Sequence, residues 1–164
     1  RAERALAGGL RLVQLRDKTL PLERRLRFAR AFVPLAHRYG ARVLWNGGAG
    51  EARDAGCDGV HWTAAALREA RERPADLLAA ASCHTREEIA RAGELRLDFA
   101  VLGPVAATPT HPFATPLGWE GFARAATGCR LPVFALGGLV TDDVEAAIDH
   151  GAHGVALRRG AWPA

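Results

Sequence analysis

Methionine is absent from the 164 residues, and lysine, glutamine, asparagine and serine occur once each, as Lys18, Gln14, Asn46 and Ser82. No apolar run approaches the roughly 20 residues that a membrane-spanning helix needs, and no signal-peptide pattern is visible, so no membrane association is expected. Blocks of five or six like charges are missing too. The net charge of +4 and pI near 9.6 arise from interspersed arginines and acids, which points to a small anionic ligand and away from nucleic acid. Cysteine is scarce: Cys57, Cys83 and Cys129 are odd in number and too far apart for any zinc spacing, so a reducing cytoplasmic setting is expected. No G-x-G-x-x-G follows a first strand, which argues against a doubly wound dinucleotide-binding fold. With no initiator methionine and a helical-looking start, the chain is expected to be a piece of a longer polypeptide.

What is present is ordinary globular material, 49% hydrophobic and 24% charged, of one domain's length (1–164). Short apolar runs at 11–16, 41–46, 59–63, 78–84, 99–105, 132–138 and 154–160 read as seven strands. Helix periodicity falls between them at 22–38, 50–55, 64–73, 85–91, 119–126 and 141–149. Strict βα alternation implies a parallel α/β sheet, and the near-even strand spacing predicts a TIM (βα)8-type barrel whose first strand precedes Arg1. Two open sheet edges would then predict low solubility or pairing between chains as a homo-oligomer. Helix ends are marked by Thr85 with Glu88, a capping-box spacing, by Thr141 before two aspartates, and by Gly9, Gly40, Gly56 and Gly151 just ahead of strands. The pattern G-x-x-G-V recurs at Gly56–Val60 and Gly151–Val155. Pro34 should kink the first long helix.

All four singletons fall at or just past a strand's C-terminal end, where barrels carry their chemistry. Lys18 stands out because the other 21 of the 22 basic residues are arginine. If the strand stays extended, alternation puts Gln14, Arg16 and Lys18 on one face. That face is either a cationic, amide-bearing wall for a phosphorylated ligand or a structural salt-bridge cluster. Gly137-Gly138 ends the seventh barrel strand before a helix, where backbone N–H groups can approach an anion. The Thr- and Pro-rich loop 102–112 is either ligand-binding or plain surface. His61, His84 and His111 lie near the strand tips, His37, His150 and His153 away from them, and no histidine pair or carboxylate partner predicts a metal site. Trp45 and Trp62 read as packing residues.

In order along the chain, "QLRDK" at Gln14–Lys18, the Asn46 strand tip, "DGVH" at Asp58–His61, "SCHT" at Ser82–Thr85, "GPV" with Thr108 and Thr110, and "ALGG" at Ala135–Gly138 resemble the thiamine phosphate synthase/TenI family of TIM barrels. "LDFAVLGPV" followed by "HP" and "LGW" resembles most the barrel domain behind a Nudix hydrolase in bacterial fusion proteins, which implies an upstream domain. The family resemblance implies a transferase that joins a pyrimidine pyrophosphate to a thiazole phosphate, magnesium assisting pyrophosphate loss. By that resemblance Gln14, Arg16, Lys18 and Asn46 would face the pyrophosphate and pyrimidine, Ser82 the pyrimidine side, Thr108 and Thr110 the thiazole phosphate, and Gly137 and Gly138 would hold phosphate through their backbone, with His111 also among the substrate-binding positions. Arg16, Lys18 and Ser82 are the implied catalytic residues.

The resemblance also marks departures. Gly47 and Ala66 stand where it implies metal carboxylates, His111 where it implies a loop lysine, and Pro104 where the tautomerase branch implies a catalytic histidine. Protein metal ligands are therefore not expected, and Mg2+ would be held mainly by substrate pyrophosphate. Three readings stay open: a working synthase, an accessory or sensing domain that keeps the phosphate site, and another reaction on the same scaffold with His84 or His111 as general acid or base.

Overall fold

The computed structural model describes residues 1–109 and 113–161. Among them, α1 (Ala2–Ala7) is followed by β1 (Leu12–Leu15), α2 (Leu22–Arg38), β2 (Arg42–Trp45), α3 (Ala49–Asp54), β3 (Gly59–Trp62), α4 (Ala64–Glu69) and β4 (Leu78–Cys83). Then come α5 (Arg86–Glu94), β5 (Phe99–Leu102), α6 (Gly118–Ala126), β6 (Val133–Leu136), a 3-10 turn (Thr141–Asp143), α7 (Val144–Asp149) and β7 (Val155–Ala156). All seven expected strands form, and the fold is α/β with parallel pairing. No helix among the described residues is long and apolar enough to cross a membrane.

The described chain divides into two compact units, residues 1–62 with 74–79, and residues 63–73 with 80–161. In the first, β1 pairs β2 with Gln14 opposite Leu44, and β2 pairs β3 with Trp45 opposite Val60. Helix α2 buries Ala29, Phe32, Val33 and Ala36, an i, i+3, i+4, i+7 stripe that gives it one apolar face. Pro34 lies off that stripe, is exposed, and α2 runs unbroken through it. The Asp58 carboxylate ties the unit together by accepting the Val43 N–H at 2.7 Å and meeting His37 Nε2 at 3.0 Å. In the second unit, β4 pairs β5 with Ser82 opposite Val101, β5 pairs β6, and β6 pairs β7. Leu67, Ile89, Leu102, Phe122 and Ala147 are buried there.

Helix stops follow the glycines. Gly9, Gly40, Gly56 and Gly151 all have positive φ, which glycine adopts without the Cβ clash. Arg96 does the same work after α5 at φ 53, the single non-glycine residue there with positive φ among the described residues. Two helix readings are corrected. Helix α4 ends at Glu69, short of Arg73, because Ala70 turns extended ahead of Pro74. Thr141 is inside the 3-10 turn, and Val140 takes the entry position, its N–H donating to Asp143 Oδ2 at 2.7 Å.

Candidate functional site

In the first unit Gln14 lies on β1, Asn46 follows the paired strand β2, and Arg16 and Lys18 follow the end of β1. Strand β1 stops at Leu15, so the assumption of an extended Lys18 fails. Lys18 sits instead in a turn built by Asp17, whose Oδ1 accepts from Thr19 N–H at 2.7 Å, Thr19 Oγ1 at 2.7 Å and Leu20 N–H at 2.9 Å. Those bonds hold the Asp17 carboxyl below its usual range, with the nearby Arg25 charge a lesser cause. The acid between Arg16 and Lys18 is thus committed to the turn. Neither cation has an ion pair or hydrogen bond among the described residues, which does not fit a structural salt-bridge cluster.

Asn46 is fixed at the end of β2. Its N–H donates to Leu15 O at 3.0 Å, and its Nδ2 donates to His61 O at 2.9 Å. Only the amide nitrogen can donate to a carbonyl, so Oδ1 is left to accept. His61 is 4% exposed, and burial first, then the Arg16 charge, push its imidazole pKa down to about 4. The ring is neutral near pH 7 and Arg16 is close enough to disfavour a second cation.

Next to Asn46, Gly47 has no room for a side chain. A Cβ there would lie 2.5 Å from Glu51 Oε2 and 2.6 Å from Trp45 Nε1. Those atoms are bonded to each other, Trp45 Nε1 donating to Glu51 Oε2 at 2.8 Å, and the same oxygen accepts Gly48 N–H at 3.3 Å. Trp45 is buried at 2% exposure and so cannot step aside. The residues do not fit a protein-held magnesium ion: the space beside Asn46 is closed, position 66 is alanine, and no group of three or more His, Cys, Asp or Glu among the described residues could hold a metal.

The second unit carries Ser82, Thr108, Gly137 and Gly138. Ser82 is half-buried on β4. Two residues on, His84 Nδ1 lies 2.6 Å from Gly103 O, so the ring donates from Nδ1 and its Nε2 is the free position. His84 N–H donates to Glu88 Oε2 at 2.7 Å, and Thr85 Oγ1 accepts Glu88 N–H at 3.3 Å. Half of the expected Thr85–Glu88 box therefore forms: Thr85 caps the helix, while the Glu88 carboxylate takes the His84 N–H in place of the Thr85 N–H. Glu88 is buried and also pairs with Arg68.

After β5 the Gly103–Pro104 peptide is cis, and the chain lies along the end of β6, with Val105 N–H donating to Leu136 O at 2.8 Å and Ala106 N–H to Gly137 O at 2.9 Å. Gly137 and Gly138 have φ of 106° and 70°. Their N–H groups have no acceptor among the described residues. A Cβ would meet Pro104 Cα at 2.6 Å in one case and Ala107 O at 2.5 Å in the other. Thr108 is half-buried on the same loop; Thr110 and His111 lie outside the described residues.

Arg25 and Glu51 were not singled out by sequence reading. Arg25 is one of the chain's 21 arginines, and Glu51 matters only through a glycine and a tryptophan that fold against it.

A family model described as thiamine monophosphate synthase matches residues 1–161. The chain is 41% identical over 159 residues to a protein provisionally named thiamine-phosphate synthase in Geobacter sulfurreducens, covering 94% of this chain and 75% of that one. It is 37% identical over 160 residues to a thiamine-phosphate synthase of Thermosynechococcus vestitus, covering 96% of this chain but only 46% of the relative, so it spans under half of that protein. Among solved structures, a thiamine phosphate pyrophosphorylase from Pyrococcus furiosus superposes with TM-score 0.78 at 25% identity, over 94% of this chain and 76% of that one.

Proposed function

We propose, from the premise that the chain belongs to the thiamine monophosphate synthase family, that it binds phosphorylated thiamine precursors and serves the coupling of a pyrimidine pyrophosphate to a thiazole phosphate. The observation that carries this reading is the Arg16–Asp17–Lys18 turn, in which the acid is spent on local hydrogen bonds and both cations are left for an anion. The finer architecture in this reading is a TIM-type barrel, seven of whose strands are in this chain.

As the bond to pyrophosphate breaks, its electron pair and growing negative charge go to the leaving group. Arg16 and Lys18 stabilise that charge, Lys18 as a compact ammonium and Arg16 as a planar fork. Asn46 Oδ1 and Gln14 hold the pyrimidine side; Ser82, on β4, belongs to the same proposed set. Gly137 and Gly138 offer backbone N–H groups to the thiazole phosphate, with Thr108 beside them; Thr110 and His111 belong to the same proposed set.

Calorimetry with inorganic pyrophosphate and a coupling assay with both precursors test this together. Lys18→Ala should weaken binding at least tenfold and lower coupling by more, since one charge-assisted contact is lost. Binding that is absent in wild type, or unchanged by the substitution, rejects the site. The closed space at Gly47 favours one further reading, an accessory domain that binds the phosphorylated ligand without turnover. Tight binding with no product from both precursors, in buffers with and without Mg2+, would select it.

A further inference from the structure

Arg25, on the first turns of α2, is a cation the proposed function does not use. Its guanidinium carbon lies over the Trp45 ring, 5.2 Å from the centroid. That ring is held by the bond to Glu51 and is followed directly by Asn46, so Arg25 is anchored next to a proposed ligand-binding residue. Yet its Nε–H is buried and has no hydrogen-bond partner among the described residues. Buried donors are satisfied in the great majority of cases, and an exception calls for a partner. No carboxylate supplies it: Asp17 feels the Arg25 charge but spends Oδ1 on Thr19 and Leu20, and Glu51 turns Oε2 to Trp45 and Gly48. Arg25 therefore belongs with Arg16 and Lys18 as a third cation without an ion pair among the described residues around the β1–α2 loop of this unit.

We infer that Arg25 is an anion-binding residue specific for a diphosphate group, its guanidinium held over Trp45 until a diphosphate draws Nε and an Nη onto the second phosphoryl oxygens while Arg16 and Lys18 meet the first. This rests on the reading of the Arg16–Lys18 turn as a phosphate site and names the class of group it takes. A planar guanidinium suits two adjacent phosphoryl oxygens in a way an ammonium does not. An extra fixed cation also gives charge compensation where the protein offers no metal cage.

The test is calorimetric titration of the full chain with inorganic pyrophosphate and with inorganic phosphate, in EDTA, for wild type, Arg25→Ala, Arg25→Met, Arg25→Lys and Lys18→Ala. Arg25→Ala and Arg25→Met should each weaken pyrophosphate roughly tenfold and phosphate by less than about twofold, with Arg25→Lys in between. Met keeps the apolar stem over Trp45, so it decides the matter if the alanine variant unfolds. Equal pyrophosphate affinity in wild type and Arg25→Met, with Lys18→Ala weakened, rejects Arg25 and leaves the proposed function standing. Equal loss for both anions would also reject the diphosphate role. Pyrophosphate binding unaffected by Lys18→Ala as well, or missing in wild type, rejects both.

Discussion

The Trp45 indole N–H donates to Glu51 Oε2 at 2.8 Å, and the pair occupies the space beside Asn46 that a Cβ on Gly47 would need. Glu51 is a flexible side-chain end and can swing; Trp45, buried, cannot. Gly47→Asp should therefore destabilise by roughly 1–3 kcal/mol, the usual cost of overpacking, and gain no affinity for Mg2+. Urea denaturation and a Mg2+ titration check both parts. In Gly47→Asp/Glu51→Ala only the Glu51 clash is relieved, so stability should recover in part. A stable, Mg2+-binding single variant would show that the indole yields.

Much of this arrangement was legible in the sequence, and the part that was not has one cause. Alternating short apolar runs and amphipathic stretches located all seven strands, because the two periodicities depend only on which face is buried. Gly9, Gly40, Gly56 and Gly151 marked helix ends through a property of glycine itself. Lys18 and Asn46 were visible as compositional singletons. Asp17, Glu51 and Arg25 were not, since their roles come from partners brought together by the turn after β1 and by Trp45 folding between Arg25 and Glu51. Extending β1 to Lys18 failed for the same reason: three hydrogen bonds to Asp17 Oδ1 curl the chain.

Two glycines with nearly the same φ separate strain from collision. Gly40 has φ 67° and open space around a built Cβ, whereas Gly138 has φ 70° and Ala107 O at 2.5 Å. Gly40→Ala should cost about 1 kcal/mol, the left-handed penalty alone. Gly138→Ala should cost roughly 2–4 kcal/mol and weaken phosphate binding, because backbone must shift in the proposed phosphate turn. Denaturation midpoints and phosphate titration read the difference. Equal costs would mean the Ala107 carbonyl moves freely.

Arg96 holds the helix-stop position that glycine holds after α1, α2, α3 and α7. Its carbonyl accepts from Arg73 Nη1 at 2.7 Å, a bond that survives any side-chain change. Arg96→Gly removes the positive-φ penalty but adds freedom to the unfolded chain, so the net gain should be about 0.5–1 kcal/mol. A rise in urea midpoint with an unchanged slope is the expected result. A fall would show that the Arg96 side chain contributes contacts worth more than the strain.

His61 makes stability depend on pH. Its folded pKa of about 4, set first by burial and then by Arg16, lies below the ordinary 6.5. The folded chain keeps the ring neutral between these values while the unfolded chain takes up a proton. Stability from this group is therefore fully present above pH 6.5 and is lost as pH falls through 4, by about 3 kcal/mol in total. His61→Gln should flatten the profile in that window, and Arg16→Ala should shrink the drop, because removing a neighbouring cation lets the folded pKa rise. Urea midpoints at pH 7, 6, 5 and 4 measure this. A wild-type profile flat from pH 7 to 4 would place the folded pKa near 6.5 and undo the claim that Arg16 and burial together hold the imidazole neutral beside the proposed anion site.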